Sequence, residues 1–402
     1  MKRHSSNKEV VLGVTGSIAA YKACELASRL TELGCKVQPV LTKSATELVG
    51  PATFEAITGR RCITEMFEPL QNPDVEHIAV AQRADLFIIA PATANILAKA
   101  ANGIADDWLS TTLLATRAPI LFAPAMNSNM YTHPATEANI ATLKSRGCHF
   151  VGPDSGRLAC RTIGPGRLID PAYIIETALP LLNKKKPLAG RRVLITSGGT
   201  REPIDPVRYI GNRSSGKMGR ALALEALMNG AEVTVVTGPS DIPMPYAVKL
   251  IQVDTAAEMA AAVFAEAETA DIVISAAAVA DYRVANPSDT KKKRDGSSLV
   301  LDLVENPDIL ATLGTRKRPG QLLVGFAAET DSLISNAQTK YAKKNLDIIV
   351  ANLVGAADSS FGLDTLRATI IGGNGHVDDP QLLTKDQLAE RLIERVASMV
   401  GR

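Results

Sequence analysis

Short β-branched runs alternate with helical spacing along this chain, and the alternation begins twice. Val10–Thr15 is the first apolar run; Gly16-Ser17-Ile18-Ala19 breaks it, and Ala19–Gly34 then carries Leu26, Leu30 and Leu33 at helical spacing before a glycine stop. Lys36–Leu41, Asp85–Ala90 and Pro119–Ala123 read as further strands. Each runs into small or polar residues, Thr42-Lys43-Ser44, Pro91–Asn95 and Pro124–Asn127. Tyr173–Leu182 is helical, and the charged run Asn183–Gly190 reads as a solvated linker. From Arg191 the grammar repeats. Val193–Thr196 enters Ser197-Gly198-Gly199-Thr200, a long loop carries Arg208 and Asn212, and Ser214–Gly219 opens an Ala/Leu-rich helix ending near Gly230. Glu232–Thr237, Asp271–Ala276 and Asp347–Asn352 are the next strands. Strands alternating with helices predict parallel sheets covered on both faces. The expected fold class is α/β, with two Rossmann-like parallel-sheet domains at 1–183 and 191–402 and a linker at 184–190.

Composition narrows this without changing it. A length of 402 residues suggests two or three domains, and 46% hydrophobic residues with a net charge of +2 describe a globular protein without a broad nucleic-acid footprint. No apolar stretch is long enough to cross a bilayer, and Met1–Glu9 lacks the apolar core of a signal peptide. Five scattered cysteines without a CxxC pair fit a reducing cytoplasm and argue against a cysteine metal site.

Ligands on such sheets bind beyond the carboxyl ends of the strands. Gly16, Ser17, Thr42, Ser44, Thr93 and Asn95 all fall there and offer hydroxyls, an amide and helix-start N–H groups, which suit a phosphorylated cofactor. No G-x-G-x-x-G follows either first strand, so the standard dinucleotide fingerprint is absent. His77, after Asp74-Val75-Glu76, reads by itself as a cap or surface residue. Cys160 lies in the glycine-rich, Arg-containing flap Gly156–Arg167 and is a better candidate for chemistry than the helical Cys24. In the second half, Lys291–Arg294 follows the strand end Ser275–Tyr282, and Lys340 and Lys344 share a helix face. Like charges so placed repel by ~0.2–0.5 kcal/mol unless an anion lies between them. Two basic clusters point to a polyphosphate.

Gly16–Ala19, His77, Pro124–Met130 and the Cys160 flap resemble the flavin-dependent cysteine decarboxylases, a homo-oligomeric family, over nearly all of residues 9–180. The resemblance implies FMN held by Gly16, Ser17, Ile18, Ala19, Thr42, Ser44, Thr93 and Asn95. It also implies His77 as acid/base, Asn127 as holder of the substrate carboxylate and Cys160 as proton donor. Decarboxylating an acylated cysteine leaves a carbanion with no electron sink; a flavin provides one by oxidising CH2–SH to a thioaldehyde. Tyr131 stands where this family usually has tryptophan, and Arg161 where it commonly has glycine.

Ser197–Gly219, Ser275–Tyr282, Lys291, Asn306-Pro307-Asp308, Val324–Thr330, Lys340, Lys344 and Asp347–Asn352 resemble phosphopantothenate–cysteine ligase, from residue 191 to about 395. This implies CTP and Mg2+ activating a carboxylate as an acyl-cytidylate that cysteine then displaces. Lys291, Lys340 and Lys344 would hold the triphosphate. Ala276, Ala277, Ala278, Asp281, Asn306, Pro307, Asp308, Ile309 and Phe326 would line the nucleotide site, with Asp281 a Mg2+ candidate. Arg208 and Asn212 would hold 4'-phosphopantothenate. The two halves together resemble the bacterial bifunctional decarboxylase–ligase family of coenzyme A biosynthesis. That family implies a cytoplasmic homo-oligomer, trimeric through the first domain and dimeric through the second, with a dodecamer satisfying both. A non-catalytic flavin-binding regulatory protein and an NAD(P)-binding oxidoreductase are the alternatives; retention of His77, Asn127 and Cys160 opposes the first, and the missing glycine fingerprint the second.

Overall fold

The structure is a computed structural model that describes residues 5–66, 76–294, 298–329, 332–353, 363–372 and 376–400; Asp74, Val75 and Thr330 lie outside them. Contacts divide the chain into two units, Met1–Lys184 and Lys185–Arg402.

In the first unit the strands lie in the order Lys36–Leu41, Glu9–Val14, Leu86–Ala92, Ile120–Pro124, His149–Phe150, each neighbouring pair parallel. In chain order this is 2-1-3-4-5, the flavodoxin-like arrangement, whose switch point falls between the first and third strands. Leu86–Ala92 is buried at all seven positions. A central parallel strand covered by helices on both faces demands such an unbroken apolar run. The segment expected as one helix over Ala19–Gly34 is divided in two. Ser17 accepts a hydrogen bond from the Ala19 N–H and starts a short 3-10 turn, Ile18–Tyr21, before the α-helix Lys22–Glu32 begins. That helix turns Ala23, Leu26, Ala27 and Leu30 inward.

Two expectations need correction. The flap at 156–167 is a paired element, Asp154–Arg157 against Ile163–Arg167, because antiparallel pairing satisfies its backbone without a place in the main sheet. The run 184–190 is not solvated throughout. Leu188 is fully buried in the second unit's core, and its N–H donates to the Asn229 carbonyl at 3.0 Å.

The second unit carries a nine-stranded sheet among the described residues. Counted from Arg192–Ser197, its parallel strands lie in the order 3-2-1-4-5-6, the Rossmann order. Beyond Ile348–Leu353 the parallel pattern ends, and Thr365–Gly372 pairs antiparallel. It also carries His376–Val377 and Gln381–Thr384. The loop expected between Thr200 and Asn212 contains a small hairpin, Arg201–Pro203 with Tyr209–Gly211. The last helix, Lys385–Val400, buries Leu388, Leu392, Ile393 and Val396 in a core shared with helix Lys217–Met228.

Candidate active sites

At the first unit's switch point, the loops after Glu9–Val14 and Leu86–Ala92 are tied together. Thr15 Oγ1 donates to the Pro91 carbonyl at 2.7 Å and accepts from the Thr93 N–H at 3.1 Å. Thr93 in turn caps the helix Ala94–Asn102 by accepting from Ile96, so the start of that helix faces the strand ends with Asn95 exposed in its first turn. After the neighbouring strand come Thr42 and Ser44. Thr42 Oγ1 is buried without a hydrogen-bond partner among the described residues, an unusual state for a hydroxyl. Gly16 lies against Ser44, and a Cβ there would collide with the Ser44 side chain. Hydroxyls from three strand ends, one of them orphaned, and a close backbone approach form a cradle that suits a phosphorylated group.

Beyond Ile120–Pro124 lies the second part of this site. Met126 donates its N–H to Gly166 O at 2.9 Å, docking the hairpin onto the Ala125–Asn127 segment. Asn127 caps the short helix Ser128–Tyr131, with Oδ1 accepting from the Asn129 N–H at 2.9 Å. That bond fixes the amide orientation, so Nδ2 is the group that meets Cys160 Sγ at 3.3 Å. The Cys160 thiol also lies 3.0 Å from Thr162 Oγ1. Hydrogen bonds with Thr162, and then with Asn127, hold this exposed thiol below its ordinary range. Cys35 is the contrast, since burial, with a smaller contribution from Asp85, pushes it up to about 11. Arg161 occupies the left-handed region at φ 68, which gives a physical reason for the glycine common there in the decarboxylases. His77 is half-buried in the first turn of helix Glu76–Arg83, and among the described residues no hydrogen bond joins it to Asn127 or Cys160.

Gly166 shows how tightly the hairpin is held. Its φ is 128, and a Cβ there would fall well inside contact distance of Met126 O. Gly166→Ala is expected to cost roughly 1–3 kcal/mol and to loosen the Cys160 turn. A lowered urea midpoint with reduced reactivity of the Cys160 thiol is the expected result; an unchanged midpoint would contradict the close approach.

In the second unit a cleft of about 670 Å3 opens at the switch point between Arg192–Ser197 and Ile272–Ser275. It is lined by Asn212, Ala276–Ala278, Asp281, Asn306, Pro307, Asp308, Ile309, Phe326, Lys340 and Lys344. Asn212 Nδ2 donates to Val279 O at 2.9 Å, and Asn306 Nδ2 to Ala280 O at 2.9 Å, so the loop after Ile272–Ser275 is gripped from two sides. The expected repulsion between Lys340 and Lys344 is relieved by carboxylates. Lys340 Nζ meets Glu329 at 2.6 Å and Lys344 Nζ meets Asp308 at 2.8 Å.

Arg208 and Lys291 are not among the lining residues. Arg208 instead binds the buried Asp205 carboxylate at 3.0 Å, and its Nη1 also donates to Lys292 O at 3.2 Å. Asp281 is exposed at the cleft, and among the described residues no group of three or more His, Cys, Asp or Glu side chains converges to hold a metal. Sequence reasoning did not assign Ser214–Gly219, Lys217 or Lys385 to the site, yet all line the cleft. The Ser-Ser-Gly-Lys run before a helix was the available signal for the first group. Lys217 Nζ pairs with Asp364, 147 residues away, at 2.6 Å, and Lys385 is half-buried beside them with its ammonium pushed down by burial and by Lys217. No local pattern announces such a contact.

Residues 1–183 match the family model described as Flavoprotein, and residues 188–400 the model described as DNA/pantothenate metabolism flavoprotein C-terminal domain. The coenzyme A biosynthesis bifunctional protein CoaBC of Bacillus subtilis is 44% identical over 398 residues, covering 98% of this chain and 98% of its own. The protein of the same name from Escherichia coli K12 is 42% identical over 396 residues, covering 98% of this chain and 97% of its own. A crystal structure of the C-terminal domain of coenzyme A biosynthesis bifunctional protein CoaBC is 40% identical, with TM-score 0.47, and covers 54% of this chain and 99% of that one. Matched at this identity over almost its whole length, the chain belongs to the coenzyme A biosynthesis bifunctional protein family.

Proposed function

We propose that the second unit joins 4'-phosphopantothenate to L-cysteine at the expense of CTP, and that the first decarboxylates the product to 4'-phosphopantetheine with FMN. Ligation followed by decarboxylation is the activity of this bifunctional enzyme family. The observation that carries the residue-level reading is the Asn127–Cys160 contact at the mouth of a flavodoxin-like sheet. In the decarboxylase, Gly16, Ser17, Ile18, Ala19, Thr42, Ser44, Thr93 and Asn95 would hold FMN. The orphaned Thr42 hydroxyl and the close approach at Gly16 support the fit. Bound there, the flavin supplies a reversible two-electron acceptor for the cysteine CH2–SH group. Asn127 holds the departing carboxylate through its amide, His77 moves a proton at the reacting cysteine, and Cys160 returns one from Sγ.

For ligation, Lys340 and Lys344 exchange Glu329 and Asp308 for triphosphate oxygens, stabilising the charge that develops at phosphorus. Asn212 positions the acyl group, and Ala276–Ala278, Asn306–Ile309 and Phe326 enclose the nucleoside. Lys291 and Arg208 would contact the anionic substrates from the loop anchored at Asp205, and Asp281 would help to hold a Mg2+ that offsets phosphate charge. The enzyme works in the cytoplasm as a homo-oligomer.

The test separates the two reactions. Given 4'-phosphopantothenoylcysteine alone, the protein is expected to release one CO2 per substrate without nucleotide, and to carry an extractable flavin identifiable as FMN. No CO2 from that substrate would refute the decarboxylase reading.

A further inference from the structure

We propose that Thr162 is a positioning residue for the Cys160 thiol, its hydroxyl and the Asn127 amide forming a two-sided clamp on Sγ. The inference rests on the reading of Cys160 as the proton donor in decarboxylation. The hairpin turn places the two side chains together. Leu158 N–H donates to Thr162 O at 2.9 Å, and Arg161 N–H donates to Leu158 O at 2.9 Å. With Arg161 in the left-handed region, the chain reverses between Cys160 and Thr162, bringing Oγ1 to 3.0 Å from Sγ. From the other side comes Asn127 Nδ2 at 3.3 Å, and its direction is not free because Oδ1 is committed to the Asn129 N–H.

The clamp matters because the turn itself offers the sulfur no burial. Cys160 and its neighbours 159–163 are exposed, and Ile163 is 84% exposed. A thiol on such a tip would otherwise sample several rotamers, and proton delivery requires its S–H to point at one carbon. While the thiol is protonated, Thr162 Oγ1–H donates to the sulfur, which leaves the single S–H free to face the substrate carbon. Once the proton has left, the same hydroxyl donates to the thiolate, as Asn127 Nδ2 already does. The bond therefore persists through the transfer and favours the charged product. The proton goes from Sγ to the substrate carbon, and the thiolate left behind regains a proton from solvent, so no further reagent is needed. Asp154, Arg157, Arg161 and Arg167 are the charged residues of the hairpin, and Asn127–Tyr131 carries none. The substitutions that test the clamp leave all four in place.

Thr162→Val keeps the shape and removes the hydroxyl, whereas Thr162→Ser keeps the hydroxyl. The readout is the rate at which iodoacetamide alkylates Cys160 in the full chain between pH 6 and about 10, followed by mass spectrometry of the Cys160 peptide. The expected result for Thr162→Val is a midpoint moved to higher pH, with the rate below the midpoint falling roughly threefold, and a wild-type profile for Thr162→Ser. Thr162→Ala repeats the test where valine crowds the turn. A titration unchanged in Val and Ala variants that melt at the wild-type temperature would overturn the clamp. Failure of the underlying reading shows differently: Cys160→Ala would then still decarboxylate at the wild-type rate, whatever the thiol titration showed.

Discussion

Cys160→Ala is expected to lower CO2 release by at least ~10²-fold while pyrophosphate release from phosphopantothenate, cysteine and CTP continues at the wild-type rate. The size follows from the role. A positioned acid contributes roughly 10²–10⁴, and Cys160 is an exposed cysteine whose thiol is held below its ordinary range by hydrogen bonds rather than raised by burial. The selectivity follows from the fold, since among the described residues the hydrogen bonds to its side chain come from Asn127 and Thr162, both in the first unit. Replacing the exposed thiol with a methyl group leaves no cavity, so folding is not at stake. Loss of both activities together would contradict the assignment of the chemistries to separate units.

The second large effect belongs to the nucleotide cleft. Lys344→Ala is expected to raise the KM for CTP about 10- to 100-fold, the loss of one charge-assisted bond of ~1.5–3 kcal/mol, and to leave decarboxylation of preformed 4'-phosphopantothenoylcysteine unchanged. Asp308 is affected as well. Partial burial raises its carboxyl, but the Lys344 and Ala311 hydrogen bonds outweigh that and hold it below the usual range. A depressed carboxylate contributes stability above its unfolded value and loses it as pH falls through its folded value. Wild type should therefore be the more stable at neutral pH, with the difference from Lys344→Ala closing as the solution becomes acidic. Urea titrations at several pH values check this, and a gap that widens towards acid would contradict the ion pair.

Much of the scaffold could be read before the fold was known, and the parts that could not share a physical cause. Lys36–Leu41 and Glu232–Thr237 have the bounds expected of them because apolar, β-branched runs between turn residues determine a buried strand locally. The cradle residues Gly16, Ser44, Thr93 and Asn95 were accessible for a related reason, since strand ends are where parallel sheets place ligands. Features made by distant pairing were not accessible. The Lys217–Asp364 ion pair and the antiparallel edge at Thr365–Gly372 depend on contacts across the unit. The hairpin around Cys160 was concealed by its own glycines, which suggested an irregular flap; pairing of Gly156 with Gly164 made a strand of them. Lys291, assigned to the triphosphate by resemblance, and Arg208, assigned to 4'-phosphopantothenate, do not line the cleft; the Arg208 guanidinium pairs with Asp205, which also accepts from the Lys292 N–H.

The central claim is that one chain runs two chemistries in a fixed order, the nucleotide-driven ligation first. It is tested most directly by mixing the protein with 4'-phosphopantothenate, L-cysteine, Mg2+ and either CTP or ATP, and following pyrophosphate and CO2 separately. The expected result with CTP is a pyrophosphate signal that begins without delay and a CO2 signal that lags behind it, the two reaching equal amounts, with ATP a poor substitute. CO2 appearing without pyrophosphate, or pyrophosphate accumulating with no CO2 to follow, would contradict the account.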